Sequence, residues 1–334
     1  MAADRHIWNR RRPGSGDNHV HDDESRAMTA NTPPLFLPLT GIHEPSAIQQ
    51  LPDGRFLVVE DEKQHPFSLV TIDAAGAIHA APLGPGFLEA GSAFWKLDDL
   101  EGLAMDPSGN LYAITSHSRN DEGDEKKSRD KLVRFRIAGD RVVDTRIVME
   151  LKPALRATHP VLAAAAEIRD VKGEGGLNIE ALEFSVDQRR LLLGFRSPLL
   201  DHRAIIAGIE NPDAMLDAGE SPRISPDLIT LDLQGDGIRG MAYFPDLGGY
   251  LVISGPIARE QAQFQLWFWS GQADEPARRA TVPGLEGLEH AEGVSAAVLE
   301  GRRRIIIVSD DGSRKAGRDA RFLLLDPGQL RIAP

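Results

Sequence analysis

The sequence predicts an all-β chain folded as a β-propeller, with five blades favoured over six. One pattern recurs five times: a charged residue, about five mostly apolar or alternating residues, a turn such as PDG or PSGN, and a β-branched run. Turn residues of this kind supply the positive φ angles and local hydrogen bonds of tight hairpins, so each copy predicts two antiparallel strands. The charged residues that open the copies are Glu44, Glu101, Glu180, Arg239 and Glu292.

The spacing of the copies, with intervals of 57, 79, 59 and 53 residues, leaves room for two further strands in each. Third strands are predicted at FSLVTI, KLVRFRI, RAIIAGI, FQLWFW and RFLLLD, and fourth strands at AIHAAPL, RVVDTRIVM, DLITLDL and RRATVPG. Four-stranded units at this period are typical of a β-propeller, whose radial repetition protects the strand edges. The fifth copy has no fourth strand of its own, and PLFLPL at 34–39 is predicted to supply it and close the ring.

The long second interval has two interpretations: it hides a sixth, degenerate blade, or it holds an insertion on one face. The segment PALRATHPVLAAAAEIRD at 153–170 favours the insertion. Proline suits the first turn of a helix, and alanine has the highest helix propensity of all residues. We therefore expect one short inserted helix near 153–170.

The composition limits the classes of function. A net charge of −12 and a pI near 5.3 argue against nucleic acid as a partner, which requires clustered basic residues. The absence of cysteine excludes disulfides and thiolate metal sites, and no apolar stretch is long enough for a membrane span. Residues 1–33 lack the apolar segment of a signal peptide and read as disordered, so we expect a cytoplasmic protein with one propeller domain at 34–334.

The opening residues of the copies suggest a site. First strands of propeller blades line the central channel, so four glutamates and one arginine are expected to meet there. Carboxylates gathered in a partly dehydrated channel repel one another, and their charge must be balanced by protons, arginines, hydrogen-bond donors or a cation. The sequence leaves these alternatives open.

A cation bound by hard oxygen ligands would be Ca²⁺ or Mg²⁺. The candidate ligands are Glu101, Glu180, Glu292, Asn178 and Asp310. Such an ion can polarise a phosphoryl or carbonyl oxygen or lower the pKa of a bound water. His117 and His290 are then candidate general bases, because imidazole titrates near neutral pH.

If arginines balance the charge of the glutamates, the channel is expected to bind an anion. Arg119, Arg196 and Arg239 are the candidates, since a guanidinium binds carboxylate or phosphate through two parallel hydrogen bonds, and the pattern suits a small anionic molecule. In a third interpretation the glutamates only fix the ring, by accepting hydrogen bonds from a neighbouring blade or by pairing with arginines. The charged run at 119–131 is expected to be a solvated loop.

Several blocks resemble a bacterial family known as a domain of unknown function. They are DLEGLA with GNLYAITSHSRN, GGLNIEALEF with LLLGFRSPL, and the pair Asn211–Pro212. The resemblance extends from about residue 35 to the end, and Ala181 departs from the glycine that is commoner there. In this resemblance Glu101 and Glu180 correspond to the inner-strand glutamates of the family. Arg196 and Ser197 correspond to its FRSP block, so Ser197 is a further candidate ligand-binding residue.

More distantly, DLEGLA is similar to an inner-strand motif of esterase-like-phytase and gluconolactonase-type propellers. This resemblance implies a propeller that hydrolyses phosphate esters or lactones with the help of a metal ion. The metal ligands of the lactonases would correspond to Glu101 or Glu292 and to Asn178, whereas Arg239 departs from the pattern. The resulting hypothesis is a metal-assisted hydrolase of a small anionic phosphoester or lactone. The alternative is a non-catalytic propeller that binds a ligand or a protein partner.

Overall fold

The structure is a computed structural model that describes residues 34–61, 65–73, 76–86, 92–257, 263–285, 287–288 and 290–334. These residues form five antiparallel sheets arranged as the blades of a propeller, as the sequence predicts. The inner strands of successive blades contact one another, and the inner strand of the fifth contacts that of the first, so the ring is closed. The expected disorder of residues 1–33 concerns a segment outside the described residues.

The strands follow one another along the chain from the inner to the outer edge of each blade. After β1 (Leu37–Leu39), blade 1 has β2 (Pro45–Gln50), β3 (Phe56–Glu60), β4 (Phe67–Ile72) and β5 (Ile78–Leu83), and blade 2 has β6 (Leu100–Met105), β7 (Leu111–Thr115), β8 (Leu132–Ala138) and β9 (Arg141–Val148). Blade 3 has β10 (Asn178–Phe184), β11 (Leu191–Ser197), β12 (Ala204–Ile209) and β13 (Ile229–Leu231), and blade 4 has β14 (Gly237–Phe244), β15 (Gly249–Gly255), β16 (Gln265–Trp269) and β17 (Arg278–Thr281). Blade 5 has β18 (Ala291–Leu299), β19 (Arg302–Ser309) and β20 (Ala320–Leu325), and β21 (Arg331–Ile332) follows.

Both ends of the described chain complete a blade. Strand β1 pairs with β20, with Leu37 opposite Phe322, and so supplies the outer strand of blade 5. This confirms the predicted closure by the N-terminal segment. Strand β21 adds a fifth strand to blade 4, where Ile332 lies opposite Ala280.

The predicted insertion between blades 2 and 3 is helical. It consists of α1 (Leu151–Thr158), α2 (Pro160–Glu167) and α3 (Val171–Glu174), whereas α4 (Pro212–Asp217) lies within blade 3. The segment divides into two main helices at His159, whose backbone is extended because it precedes Pro160. Short 3-10 turns cover Lys127–Arg129 and Pro327–Gln329. None of the helices in the described ranges has the length and hydropathy of a membrane-spanning segment.

Every inner strand contains a β-bulge at the same position. In β6, for example, Leu100 lies opposite Thr115 and Gly102 opposite Ile114, which leaves Glu101 without a partner residue. A bulge inserts one extra residue and redirects its side chain. The bulged residues of the five blades are Ser46, Glu101, Glu180, Arg239 and Glu292. We call these five residues the polar ring.

The residue after each bulge is small because the inner strands lie very close together. A Cβ atom on Gly102 would lie 2.8 Å from Cβ of Leu182, and one on Gly240 would lie 1.9 Å from the carbonyl oxygen of Glu292. Alanine or glycine occupies this position in all five blades, at Ala47, Gly102, Ala181, Gly240 and Gly293. The tight packing of the inner strands thus selects small residues beside the polar ring.

The residue two positions after each bulge is apolar and buried. These residues are Ile48, Leu103, Leu182, Met241 and Val294, and none is more than 6% exposed. They surround a remaining space of about 10 Å³, too small for anything larger than a water molecule. The channel is therefore closed on one side of the polar ring by an apolar floor.

We expect Gly240→Ala to destabilise the fold by about 3 kcal/mol, because the new methyl group would collide with the backbone of blade 5. Chemical denaturation would measure the loss. Gly84→Ala is the control, since nothing lies within 4 Å of a Cβ atom there and its backbone needs no positive φ. Equal stability of the two variants would contradict the close approach of the inner strands.

Candidate functional site

The polar ring forms the base of a cavity of about 990 Å³. Of the residues predicted to meet in the channel, four do so, but the blade 1 position is filled by Ser46 and not by Glu44. The sequence pattern misplaced this residue because Glu44 stands two positions before the bulge, and the small residue Ala47 is the signal that would have given the correct register. The ring therefore contains three glutamates, one arginine and one serine.

The cavity is lined mainly by polar and charged residues. Val171 is the one residue with an apolar side chain among the described residues that line it. Its walls are formed by Ser46, Asp61, Asp99, Glu101, Ser118, Arg119, Asn120, Asp121, Glu122, Gly123, Arg129, Arg169, Asp170, Val171, Lys172, Gly173, Asn178, Glu180, Arg196, Arg239, Glu292 and Asp310. Ligand pockets are usually lined mainly by apolar side chains, so this cavity suits a strongly hydrophilic molecule.

Arg239 joins two of the three glutamates in the ring. Its Nη1 lies 2.7 Å from Oε2 of Glu180, and its Nη2 lies 2.8 Å from Oε1 of Glu292. The guanidinium also lies over the ring of Phe264, 5.2 Å from the centroid. All three charged groups are buried, so each needs the others to offset the loss of hydration.

Glu180 is the most highly coordinated carboxylate of the ring. Besides Arg239, its Oε1 accepts hydrogen bonds from Nη1 of Arg196 at 3.1 Å and from Nδ2 of Asn178 at 2.8 Å. Arg196 reaches this position because it is itself bulged out of β11, opposite the start of β10. The Oδ1 atom of Asn178 is buried and has no hydrogen-bond partner among the described residues.

Glu101 differs from the other two glutamates. Its carboxyl group is partly buried and forms no hydrogen bond or ion pair with any residue in the described ranges. Burial and the nearby carboxylates of Asp99 and Glu180 raise the pKa of Glu101 well above its usual range. No arginine in the described ranges pairs with Glu101, whereas Arg239 pairs with both Glu180 and Glu292. Burial nevertheless raises the pKa of Glu292 as well, to about 8.

Asp310 is a second carboxyl group without a hydrogen bond or ion pair among the described residues. It follows β19 of blade 5 and lines the same cavity. Burial, with the charge of Glu44 as the next cause, raises the pKa of Asp310 to about 6. Glu101 and Asp310 are therefore two unpartnered carboxyl groups of one cavity, both with a raised pKa.

The charged run at 119–131, which the sequence predicts as a solvated loop, is partly built into the site. Arg129 forms ion pairs with Asp98 at 3.3 Å and with Asp99 at 2.8 Å. Lys131 is buried and donates hydrogen bonds of 2.6 Å to the carbonyl groups of Ala93 and Lys96. These contacts hold the segment that enters β6, so they help to place Glu101.

Sequence reasoning missed Asp61, Asp99 and Arg129 as lining residues. Asp99 accepts hydrogen bonds from the hydroxyl groups of Ser116 and Ser118, and its φ of 65° is unusual outside glycine. The position of Asp99, two residues before Glu101, could have identified it as a lining residue. The pairing of Asp99 with Arg129 could not have been predicted, because it depends on the path of a loop.

The inserted helices form one wall of the cavity. Arg119 is held between the insertion and its own loop, because its Nε donates to the carbonyl of Ala166 at 3.0 Å and its Nη1 to that of Gly123 at 3.2 Å. The segment around α3 adds Arg169, Asp170 and Lys172 to the lining. The insertion thus makes one side of the cavity deeper than the blades alone would.

Three predicted site residues do not line the cavity. His117 is fully buried, with Nδ1 2.8 Å from the carbonyl oxygen of Thr115, and burial lowers its pKa to about 4. His290 is exposed with its ring against Phe264. Ser197 is buried and donates its hydroxyl hydrogen to the carbonyl of Gly176. Roles for them in catalysis or binding stay predictions that these positions do not favour.

The five predicted metal ligands do not share one function. Glu180 and Glu292 are occupied by Arg239, while Glu101, Asn178 and Asp310 keep unpartnered oxygen atoms. Within the part of the chain that the structure describes, no group of three or more histidine or acidic side chains is arranged to hold a metal ion. A site with all five ligands does not fit this arrangement, and Ca²⁺ or Mg²⁺ stays a prediction.

Substitution of two ring glutamates by glutamine should have opposite effects on stability. Glu180→Gln should lower the free energy of unfolding by about 3 kcal/mol, because it removes the counter-charge of buried Arg239. Glu101→Gln should raise the melting temperature, and more at pH 8 than at pH 5. Ionisation of Glu101 costs stability as pH rises from its unfolded pKa of 4.5 through the higher folded value.

Thermal unfolding of both variants at the two pH values would measure these effects. A loss of stability in Glu101→Gln as large as that in Glu180→Gln would contradict the unpaired state of Glu101.

A family model matches part of the chain. The model of a family described as protein of unknown function (DUF3616) matches residues 162–326. This range contains the GFRSP block, and the match supports the resemblance to a family of unknown function. No protein of curated function matches the chain by sequence.

Solved structures share the propeller fold at low identity. A GH43 protein of Bacillus licheniformis is 12% identical with a TM-score of 0.50, over 89% of this chain and 56% of that one. The PQQ-bound aldose sugar dehydrogenase of Streptomyces coelicolor is 16% identical with a TM-score of 0.42, over 90% and 100%. The PQQ domain of a Coprinopsis cinerea pyranose dehydrogenase is 10% identical with a TM-score of 0.42, over 88% and 85%. Similarity at this level concerns the fold alone.

Proposed function

We propose that this propeller is a hydrolase of a small anionic phosphoester or lactone, with Glu101 as general acid and Asp310 as general base. The observation that carries the proposal is the state of Glu101: an unpartnered carboxyl group whose pKa is raised, at the base of a polar cavity. Perturbed carboxyl groups in a cavity mark candidate catalytic sites, because catalysis needs groups that their surroundings do not satisfy.

Two unpartnered carboxyl groups in one cavity can act as the general base and the general acid of a hydrolysis. Asp310, with a pKa of about 6, is ionised near neutral pH and can accept a proton from water. The water oxygen attacks the phosphorus or carbonyl carbon, and the bond to the leaving oxygen breaks. In this mechanism Glu101 holds a proton, as its raised pKa favours, and gives it to that oxygen.

Arg196 is the group that can hold the developing negative charge. Its Nε donates to the carbonyl of Pro256, and its Nη1 donates to Glu180, but its Nη2 has no partner among the described residues. A guanidinium nitrogen held by its neighbours is a preorganised donor for a phosphoryl or carbonyl oxygen. Arg239 has both terminal nitrogens occupied and serves the ring.

A second function has its own supporting observation. The ion pairs of Arg239 with Glu180 and Glu292 close the ring without any ligand, as expected where these residues only fix the blades. The protein would then bind a ligand or a protein partner without transforming it. The two functions differ in what Glu101 and Asp310 do.

Glu101→Gln and Asp310→Asn should each lower kcat by about 100-fold or more, the usual contribution of a general acid or base. Phosphate release from 2-aminoethyl phosphate and ring opening of δ-valerolactone are suitable assays. The rate of the wild-type protein should rise with pH through the pKa of Asp310, about 6, and fall when Glu101 loses its proton.

Glu210→Gln, which changes an exposed carboxyl group outside the cavity, is the control and should keep full activity. The acidic limb of the pH profile should vanish in any residual activity of Asp310→Asn. Substrate binding without turnover in the wild-type protein would favour the non-catalytic function.

A further inference from the structure

Asn178 carries a polar atom that the proposed chemistry does not use. Its side chain is 5% exposed, lines the cavity and begins the inner strand of blade 3. The Nδ2 atom donates to Oε1 of Glu180 at 2.8 Å, while Oδ1 is buried without a donor. A buried acceptor without a donor is costly, so it marks a place where a further group is expected.

The orientation of this amide is fixed by its surroundings. Glu180 is held as a carboxylate by Arg196 and Arg239, and a carboxylate can only accept hydrogen bonds. The amide nitrogen must therefore face Glu180, which leaves the oxygen with its lone pairs unused. Rotation of the amide would place two acceptors against each other.

The unused polar groups at the base of the cavity include acceptors and one donor. The groups that accept or can accept are Oδ1 of Asn178, the carboxyl group of Glu101 and the hydroxyl of Ser46, none of which has a hydrogen-bond partner among the described residues. The buried donor is Nε of Arg239. The terminal nitrogens of Arg239, by contrast, are both occupied. A ligand that satisfies Oδ1 of Asn178 must bring a hydrogen-bond donor to that atom.

We propose that Asn178 determines substrate specificity, by accepting at Oδ1 a hydrogen bond from a hydroxyl or ammonium group that the substrate carries close to the cleaved bond. This inference rests on the proposed function, and it narrows the substrate class to phosphoesters and lactones that bear such a donor. A site built to hydrogen-bond a donor discriminates strongly against the analogue that lacks it.

Three phosphate esters on one two-carbon skeleton test the assignment: ethyl phosphate, 2-hydroxyethyl phosphate and 2-aminoethyl phosphate. Their affinities would be measured by calorimetry on the full chain carrying Asp310→Asn, with EDTA present. We expect at least one donor-bearing ester to bind about 10-fold more tightly than ethyl phosphate, the order expected for one hydrogen bond to a buried group. The comparison of the two donor esters identifies the preferred donor.

Asn178→Ala, added to the same background, should reduce this ratio to about one. Asn211→Ala is the matched control, since Asn211 is equally buried but lies outside the cavity with its amide groups bonded to Arg223 and Ser221. It should leave the ratio unchanged. The ratio in the Asp310→Asn chain itself tests the proposal even where Asn178→Ala fails to fold.

Equal affinity for the three esters, including no binding of any, would overturn the assignment. So would a ratio that disappears when Ca²⁺ or Mg²⁺ replaces EDTA, because Oδ1 would then serve the ion. Tight binding of a donor ester with the expected ratio, but without hydrolysis by the wild-type protein, would sustain the role of Asn178 and reject the hydrolase.

Discussion

The ion pairs of Arg239 are the interaction on which the rest of the site depends. Three glutamates project into one closed channel, and their charges could not be held together in a region of low dielectric without compensation. One guanidinium satisfies Glu180 and Glu292 together, with help from Arg196 at Glu180. Because this compensation does not extend to Glu101, the third glutamate has no counter-charge in the ring, and its pKa is raised.

The backbone geometry of the propeller makes this arrangement repeatable. A bulge in each inner strand points one side chain at the axis, a small residue follows where the strands touch, and an apolar residue closes the floor. The floor also excludes water from one side of the polar ring, which adds to the burial that raises the pKa of Glu101. The fold and the raised pKa of Glu101 thus have a common cause in the close approach of five strands.

Strand positions could be predicted from the sequence because turns and alternating apolar residues are local signals. Ring closure by the pairing of β1 with β20 could be predicted because the last blade lacks a fourth strand of its own. The convergence of residues at the same register position, such as Glu101, Glu180 and Arg239, could also be predicted from the repeated pattern. The prediction of Glu44 was wrong because the bulged residue of blade 1 is the uncharged Ser46, and the nearest charge stands two positions before it. The bond from Asn178 to Glu180 could not be predicted because it depends on how the bulge in β10 turns the two side chains. The pairing of Arg129 with Asp99 could not be predicted because it depends on the path of a loop.

The serine in the ring explains why the site is asymmetric. Ser46 belongs to the blade next to Glu101, and a second guanidinium in its place could pair with Glu101 as Arg239 pairs with Glu292. Such a ring would be more stable and would hold no free carboxyl group. The short, neutral side chain of Ser46 instead leaves space beside Glu101 and leaves the carboxyl group of Glu101 without an ion pair. The local loss of stability is the expected cost of a reactive group, because a side chain that its neighbours fully satisfy has little left to offer a substrate.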